Sequence, residues 1–352
     1  MAVSDSPFLR ACWGLPSTHV PVWFMRQAGR SLPEYRALRK DGSILDAVRD
    51  PELAAELTMQ PVRRYGVDAA ILFSDIIVPL AAIGLDVDID PGRGPVVAEP
   101  FVRREDLARL RPLEPECDIP YVIETVRALV SELDVPLIGF AGAPFTVASY
   151  LIEGGPTRTF ERTKALMHTD EKTWFALLDV LADLASSSLR AQIEAGVSAV
   201  QLFDSWAGAL SRSDYETFVL PATKRVLGGL SAAGVPRIHF GVGTGELLDL
   251  MASGGADVIG VDWRVPLSVA RDRVGPGVAL QGNLDPALCL AGFEVARREA
   301  LRVLTESDGS FGHVFNLGHG VLPGTDPDVL ARLVEVVHAA EVPSLVDRGN
   351  QP

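Results

Sequence analysis

Arginine residues are concentrated directly after an apolar run near the start of the chain. The run Val20–Met25 is followed by Arg26-Gln27-Ala28-Gly29-Arg30, and Arg39 comes shortly afterwards. The planar guanidinium group binds carboxylates bidentately, so this pattern suits a ligand that carries several carboxylates. A solvated basic turn has a similar composition. Local composition alone favours the basic turn, and the position directly after an apolar run weakens that interpretation.

Asp75 is a lone carboxylate within the apolar stretch 69–80. Buried aspartates are rare unless they are paired or hydrogen-bonded, so Asp75 either acts on a ligand or caps a helix. Small residues in the run 139–143 would let a ligand approach the backbone closely. This run leads into a helical pattern that carries Tyr150, which taken alone is more typical of packing.

Two further polar positions follow later apolar runs. Asp204 and Ser205 come after one of them, but no G-x-S-x-G motif surrounds Ser205, which makes it a poor candidate nucleophile. His319 lies between two glycines near the end of the chain, where a structural role and a role in a site both remain open.

Short apolar runs alternate with longer helical patterns along almost the whole chain. The helical patterns include 171–194 and 326–340, the second opened by a capping aspartate and a proline. Such alternation predicts a parallel sheet with crossover helices, and eight strands favour a closed (β/α)8 TIM barrel. In barrel enzymes the site lies at the carboxyl ends of the strands, where the polar residues above are found. The predicted strands are Val20–Met25, Ala69–Phe73, Pro136–Phe140, Ala199–Phe203, Arg237–Phe240, Val258–Asp262, Ala279–Asn283 and His313–Leu317.

The chain shows no composition shift and no internal repeat, so one barrel domain over residues 1–352 is expected. The stretch 83–100 breaks the rhythm with Gly, Pro and alternating Asp, which predicts a hairpin excursion. The ends, Met1–Pro7 and Pro343–Pro352, are expected to be loosely ordered.

Bulk composition excludes several classes of function. The net charge of −14 argues against nucleic acid, which binds through Lys and Arg. The three cysteines are far apart, which predicts neither disulfides nor a metal site. No run is long and apolar enough for a membrane span, and no signal peptide is indicated. A cytoplasmic protein is therefore expected.

Several longer motifs together carry a resemblance. Pro21–Arg30 with Leu32–Arg36 resembles the first signature of uroporphyrinogen decarboxylases, and Gly139–Gly155 resembles the second. Phe73–Ile76, Leu280–Pro286 and Asn316–Gly320 are similar to the family in order and spacing. Two positions depart from the family: Ser31 stands where tyrosine is frequent, and Trp206 where some members have histidine.

The resemblance implies a homodimeric barrel that decarboxylates the four acetate side chains of uroporphyrinogen III, without a cofactor or a metal, to give coproporphyrinogen III. Asp75, Arg26 and Tyr150 are implied as catalytic. The implied contacts with the tetrapyrrole substrate are Arg26, Gln27, Ala28, Gly29, Arg30, Arg39, Asp75, Tyr150, Ser205 and His319.

Two other functions remain as alternatives. A zinc- and cobamide-dependent methyltransferase of the same barrel superfamily would need His and Cys ligands, and no cysteine follows His239 at the required spacing. A non-catalytic tetrapyrrole binder would keep the pocket but lose the chemistry, which the presence of Asp75 beside the arginines disfavours.

Overall fold

The computed structural model describes residues 3–29, 31–39, 42–90, 94–307 and 312–340. The fold is α/β and contains a curled sheet of seven parallel strands, in the order β1-β4-β5-β6-β7-β8-β9. β2 and β3 form a separate antiparallel pair. The strands are β1 (Ala70–Ile71), β2 (Val87–Asp90), β3 (Gly94–Val97), β4 (Leu137–Gly142), β5 (Ala199–Asp204), β6 (Arg237–Gly241), β7 (Val258–Gly260), β8 (Ala279–Gln281) and β9 (His313–Val314).

Helices follow the strands of the parallel sheet and cover it. Their bounds are α1 (Pro7–Cys12), α2 (Pro33–Leu38), α3 (Ile44–Val48), α4 (Pro51–Tyr65), α5 (Val78–Ala82), α6 (Pro115–Asp118), α7 (Pro120–Glu132), α8 (Pro144–Glu153), α9 (Glu161–Thr169), α10 (Glu171–Ala195), α11 (Arg212–Asp214), α12 (Leu220–Gly229), α13 (Leu248–Ser253), α14 (Leu267–Val274), α15 (Pro286–Leu290), α16 (Phe293–Ser307) and α17 (Pro327–Ala339).

The helix patterns of the sequence correspond to real helices. In α10 the leucines at helical spacing are buried, including Leu177, Leu181 and Leu184. Each such side chain contributes about 1.5–3 kcal/mol when fully buried. Asp326 caps α17 as predicted, because its carboxylate accepts a hydrogen bond from the Asp328 N–H at 3.0 Å.

Seven of the eight predicted strands are present, and Val20–Met25 is the exception. This segment makes a single parallel bridge, between Val22 and Phe315. The Val22 N–H donates to the carboxylate of Asp68 at 2.7 Å, so a side chain takes the place of a ladder acceptor. The Asp68 N–H in turn donates to the Val22 carbonyl at 2.8 Å. The segment therefore lies between the two edges of the seven-stranded sheet and is hydrogen-bonded next to β9 and next to β1, although it is not a regular strand.

A polar chain crosses the interior of the sheet. The Trp23 indole donates to the Gln281 amide oxygen at 3.0 Å, and Gln281 donates to Gln201 at the same distance. All three residues are buried. Since buried polar groups must be paired, this chain fixes the Val20–Met25 segment relative to β8 and β5.

The remaining predictions about the chain are met in part. The antiparallel pair β2 and β3 lies within the stretch 83–100, where a hairpin was expected. Val3–Asp5 form a 3-10 helix and Ser6 caps α1. Pro343–Pro352 lies outside the described residues. Among the described helices, none has the length and apolar character needed to cross a bilayer.

Candidate active site

Arg26 has an unusual backbone conformation at the carboxyl end of the Val20–Met25 segment. Its φ is +57°, in the left-handed region that residues with a Cβ seldom adopt. Its aliphatic chain lies against Gly320, where a Cβ atom would come within 2.5 Å of the Arg26 Cδ. The side chain itself is exposed. Strain of this kind persists where the surroundings impose it, which is typical of functional sites.

Asp75 lies in the loop between β1 and α5. Its Oδ1 accepts a hydrogen bond from the Ile77 N–H at 3.1 Å. Burial raises the pKa of Asp75, while the Ile77 N–H and the charge of Arg26 act in the opposite direction. The carboxylate therefore accepts a local hydrogen bond in the loop but does not cap α5, whose N-cap is Ile77 and has no side-chain hydrogen bond. Its role towards a ligand stays a prediction.

Tyr150, on α8, is buried against Trp206, with the ring centroids 3.9 Å apart and the planes inclined by 34°. Burial and the charge of Asp75 raise the pKa of the Tyr150 hydroxyl far above its ordinary value, and Arg26 offsets part of this. The hydroxyl thus stays protonated at neutral pH, where it can donate a hydrogen bond. The departure at Trp206 places a large ring directly over this tyrosine.

Asp204 is linked to the backbone of Trp206 through the Thr146 hydroxyl. Asp204 is fully buried at the end of β5, and its Oδ1 accepts from the Thr146 hydroxyl at 2.8 Å. The same hydroxyl accepts from the Trp206 N–H at 3.2 Å. The other carboxylate oxygen of Asp204 lies 3.7 Å from the Nε2 of His239, which is also fully buried. Asp204 therefore orients the loop after β5 rather than facing a ligand.

His319 follows β9 and lies in the same region. Burial, with a contribution from the charge of Arg26, lowers the pKa of His319 to about 4. Its Nδ1 accepts a hydrogen bond from the Gly320 N–H at 2.6 Å. Since Nδ1 is an acceptor, the neutral ring carries its proton on Nε2. At neutral pH His319 is therefore an uncharged donor.

Arg26 is the residue whose charge acts on all the others: it lowers the pKa of Asp75, of Tyr150 and of His319. The structure thus brings together four residues from four separate motifs of the sequence. They offer one cation, one anion and two neutral donors. Such a set can bind carboxylates on one side and stabilise a cation on the other.

Other predicted site residues lie differently. The Gln27 amide is fully buried, accepts from the Phe24 N–H at 3.0 Å and donates to the Ala69 carbonyl at 3.2 Å. Arg39 donates to the Gly42 carbonyl at 2.7 Å and lies over the Tyr35 ring. Neither contact involves Arg26 or Asp75. Ala28, Gly29 and Ser205 are partly buried, and Arg30 lies outside the described residues.

The sequence analysis missed Arg264, which follows β7. Its guanidinium donates to the Asp262 carboxylate at 2.7 Å and lies over the Trp263 ring, 4.0 Å from the centroid. Arg264 also lowers the pKa of His319, so its charge reaches the site. The available signal was its position, because it follows a predicted strand in the same way as Arg26 does.

No cluster of metal ligands accompanies these residues in the described part of the chain. The three-residue group of possible ligands found there lies elsewhere, before β1 and at the end of α17. All three cysteines are free, with Cys12 and Cys289 buried. The described residues at the carboxyl ends offer charges and hydrogen-bond donors and acceptors.

Comparison with known proteins gives a consistent result. The sequence profile of the family described as Uroporphyrinogen decarboxylase (URO-D) matches residues 3–340. The chain is 63% identical over 338 residues to a "Uroporphyrinogen decarboxylase" of Streptomyces coelicolor, covering 96% of this chain and 95% of that protein. It is 60% identical over 341 residues to the protein of that name in Rhodococcus erythropolis, covering 95% and 96%.

Among solved structures, a methyltransferase from Methanosarcina mazei has a similar fold. The TM-score is 0.77 at 22% sequence identity, over 93% of this chain and 96% of that one. At this identity the likeness concerns the fold alone.

Proposed function

The chain belongs to the uroporphyrinogen decarboxylase family, and on this premise we propose that it converts uroporphyrinogen III to coproporphyrinogen III. The reaction removes the carboxyl groups of four acetate side chains in porphyrin biosynthesis. The observation that carries the proposal is the placement of Asp75 beside Arg26, Tyr150 and His319 at the carboxyl end of the sheet. A substrate with eight carboxylates and four pyrrole N–H groups offers a partner to each of them.

Asp75 is proposed as the group that stabilises the reacting ring. Loss of carbon dioxide leaves an electron pair on carbon, which needs a sink. A pyrrole protonated at a ring carbon accepts that pair, so the proposed reaction needs neither a metal nor an organic cofactor. The carboxylate of Asp75 would accept hydrogen bonds from the pyrrole N–H groups and stabilise the cationic ring as it forms.

Arg26 and His319 are proposed to position the substrate. The exposed guanidinium of Arg26 can bind a substrate carboxylate bidentately, and the Nε2–H of His319 can donate to another. Arg30 and Arg39 are proposed as further carboxylate contacts. Tyr150 would donate a hydrogen bond from its protonated hydroxyl, and Ser205 with the backbone of 27–29 would complete the polar lining.

We also propose that the sheet is closed as an eight-stranded barrel in one domain, with Val20–Met25 as the eighth strand. The hydrogen bonds that join Val22 to Phe315 on one side and to Asp68 on the other support this. A homodimer in the cytoplasm is proposed from the family resemblance. Free cysteines are typical of a reducing compartment.

A turnover assay tests the function. Chelated and desalted protein is incubated with enzymatically generated uroporphyrinogen III, and the oxidised porphyrins are separated by chromatography. We expect coproporphyrin to accumulate through intermediates of decreasing carboxylate number, with Asp75→Asn as the matched protein of low activity. Turnover that requires an added metal would contradict the proposed cofactor-free mechanism. Tight binding without any product would identify a tetrapyrrole carrier instead.

A further inference from the structure

Two imidazoles converge on one carboxylate at the amino end of the sheet. Nε2 of His19 lies 2.8 Å from Oδ1 of Asp68, and Nε2 of His338 lies 2.7 Å from Oδ2. The ligand atoms of the three residues all lie within 4.8 Å of one another, and no other group of this kind is found among the described residues. We refer to His19, Asp68 and His338 as the His-Asp-His cluster.

The cluster joins three separate parts of the chain. His19 precedes the Val20–Met25 segment, Asp68 precedes β1, and His338 lies in the last turn of α17. A helix that follows a parallel strand runs back along the sheet, so the end of α17 returns to the amino end of the strands. The cluster therefore lies at the amino ends of the strands, and the candidate active site lies at their carboxyl ends.

The cluster is partly buried, and neighbouring groups orient two of its three side chains by hydrogen bonds. The side chains of His19, Asp68 and His338 are 23%, 11% and 31% exposed, which leaves an entry path while removing most of the water. The Thr18 hydroxyl lies 3.1 Å from Nδ1 of His19. The Val22 N–H donates to Asp68 at 2.7 Å. Metal-binding residues are usually oriented by such outer hydrogen bonds, here at Nδ1 of His19 and at one oxygen of Asp68.

We propose that the His-Asp-His cluster binds one divalent transition-metal ion of the zinc class, through both Nε2 atoms and the Asp68 carboxylate. Imidazole and carboxylate ligands suit zinc and its neighbours, and water would complete the coordination. Tetrahedral bonds of about 2.0 Å separate ligand atoms by about 3.3 Å. The two contacts with Asp68 would lengthen by about half an ångström, and any pair of ligand atoms that is farther apart, up to 4.8 Å, would have to approach.

Binding requires both Nε2 atoms to be free of protons. In the neutral rings the proton can move to Nδ1, and for His19 the Thr18 hydroxyl is placed to accept a hydrogen bond from it. The ion would then replace two hydrogen bonds by three coordinate bonds. It would link the chain before the Val20–Met25 segment to β1 and to α17.

The proposed ion has a structural role and not a catalytic one. His19 and Arg26 are seven positions apart in the sequence. An extended segment rises about 3.3 Å per residue, so the cluster lies on the order of 20 Å from the candidate active site. Binding to the folded state alone raises the melting temperature as the concentration of free ion rises above the Kd, while turnover should not change.

Calorimetric titration of the chelated full-length protein with Zn²⁺ tests the proposal, with Co²⁺ absorption as a second readout. We expect one ion per chain with micromolar or tighter affinity, a raised Tm and unchanged kcat. His19→Gln and His338→Gln keep an amide that can donate to Asp68 but lack the imidazole ligand. Each should weaken binding at least tenfold and abolish the rise in Tm.

His168→Gln is the matched control, because the Nε2 of His168 lies 3.4 Å from a single carboxylate, that of Asp214, on the surface. Its zinc affinity should equal that of the unchanged protein. Absence of stoichiometric binding, or equal affinity in all three variants, would overturn the proposal. Decarboxylase turnover is measured separately, so failure of the metal site leaves the proposed function untouched.

Discussion

Replacing Gly320 by alanine tests whether the placement of Arg26 determines substrate binding. The new Cβ would lie 2.5 Å from Cδ and 2.8 Å from Cγ of Arg26. Carbon atoms in contact are ordinarily about 3.5–4.0 Å apart, so the arginine side chain must move by about 1 Å. Its backbone is already in the left-handed region and has little freedom to adjust. The exposed guanidinium will therefore be displaced.

A displacement of about 1 Å can cost on the order of a hundredfold in rate, or about 2.7 kcal/mol. We expect kcat/KM of Gly320→Ala to fall by roughly this factor, with little change in Tm, because Arg26 can yield towards solvent. Steady-state kinetics with uroporphyrinogen III and a thermal melt measure both quantities.

Gly324→Ala is the matched control, since its Cβ would meet only Cδ2 of Leu290, at an ordinary 3.6 Å. This variant should keep the original kcat/KM. The combination of Gly320→Ala with Arg26→Ala provides the critical result. If the glycine acts through Arg26, the alanine at 320 should cost nothing further once the arginine is gone. If the double variant has a kcat/KM about a hundredfold below that of Arg26→Ala alone, the glycine does not act through the arginine and the reasoning is refuted.

Three further predictions follow from the same site and its surroundings. Asp75→Asn should reduce kcat by a factor corresponding to about 2.7–4 kcal/mol, while Tm barely changes because the amide oxygen still accepts from Ile77; full activity would exclude the proposed role. Arg26→Lys should bind substrate better than Arg26→Ala but less well than arginine, and equal KM for lysine and arginine would contradict bidentate binding. Burial lowers the pKa of His313 from 6.5 to about 4, so the stability it contributes is complete above pH 6.5 and is lost as the pH falls towards 4. His313→Gln should therefore reduce the pH dependence of the free energy of unfolding by about 1.4 kcal/mol per pH unit in that window, measured by urea unfolding, and an unchanged slope would contradict it.

Much of the fold was predictable because the alternation of apolar runs and helical patterns extends over the chain. Seven strands and helices such as α10 and α17 lie where the pattern indicates. The Val20–Met25 segment is different, because the Val22 N–H donates to the side chain of Asp68 instead of to a backbone carbonyl. A hydrophobic pattern reports which face is buried, but it does not report which group accepts a given N–H.

The candidate site was predictable only as a set of positions after strands. Those positions selected Arg26, Asp75 and His319 as candidates, whereas Tyr150 was implied only by the family resemblance. The same rule applied to the strand before Arg264 would have selected that residue too. It also selected Gln27, whose amide is fully used by the backbone within the protein. Sequence position therefore indicates which end of the sheet a residue occupies, but not the direction of its side chain.

The contacts that give the site its geometry join residues that are distant in the sequence. Gly320 has no Cβ where the Arg26 side chain passes, and Trp206 covers Tyr150. A single sequence displays each of these residues without its partner. In the structure, Gly320 leaves room for the Arg26 side chain, so we expect the glycine after His319 to influence the proposed carboxylate contact of the arginine.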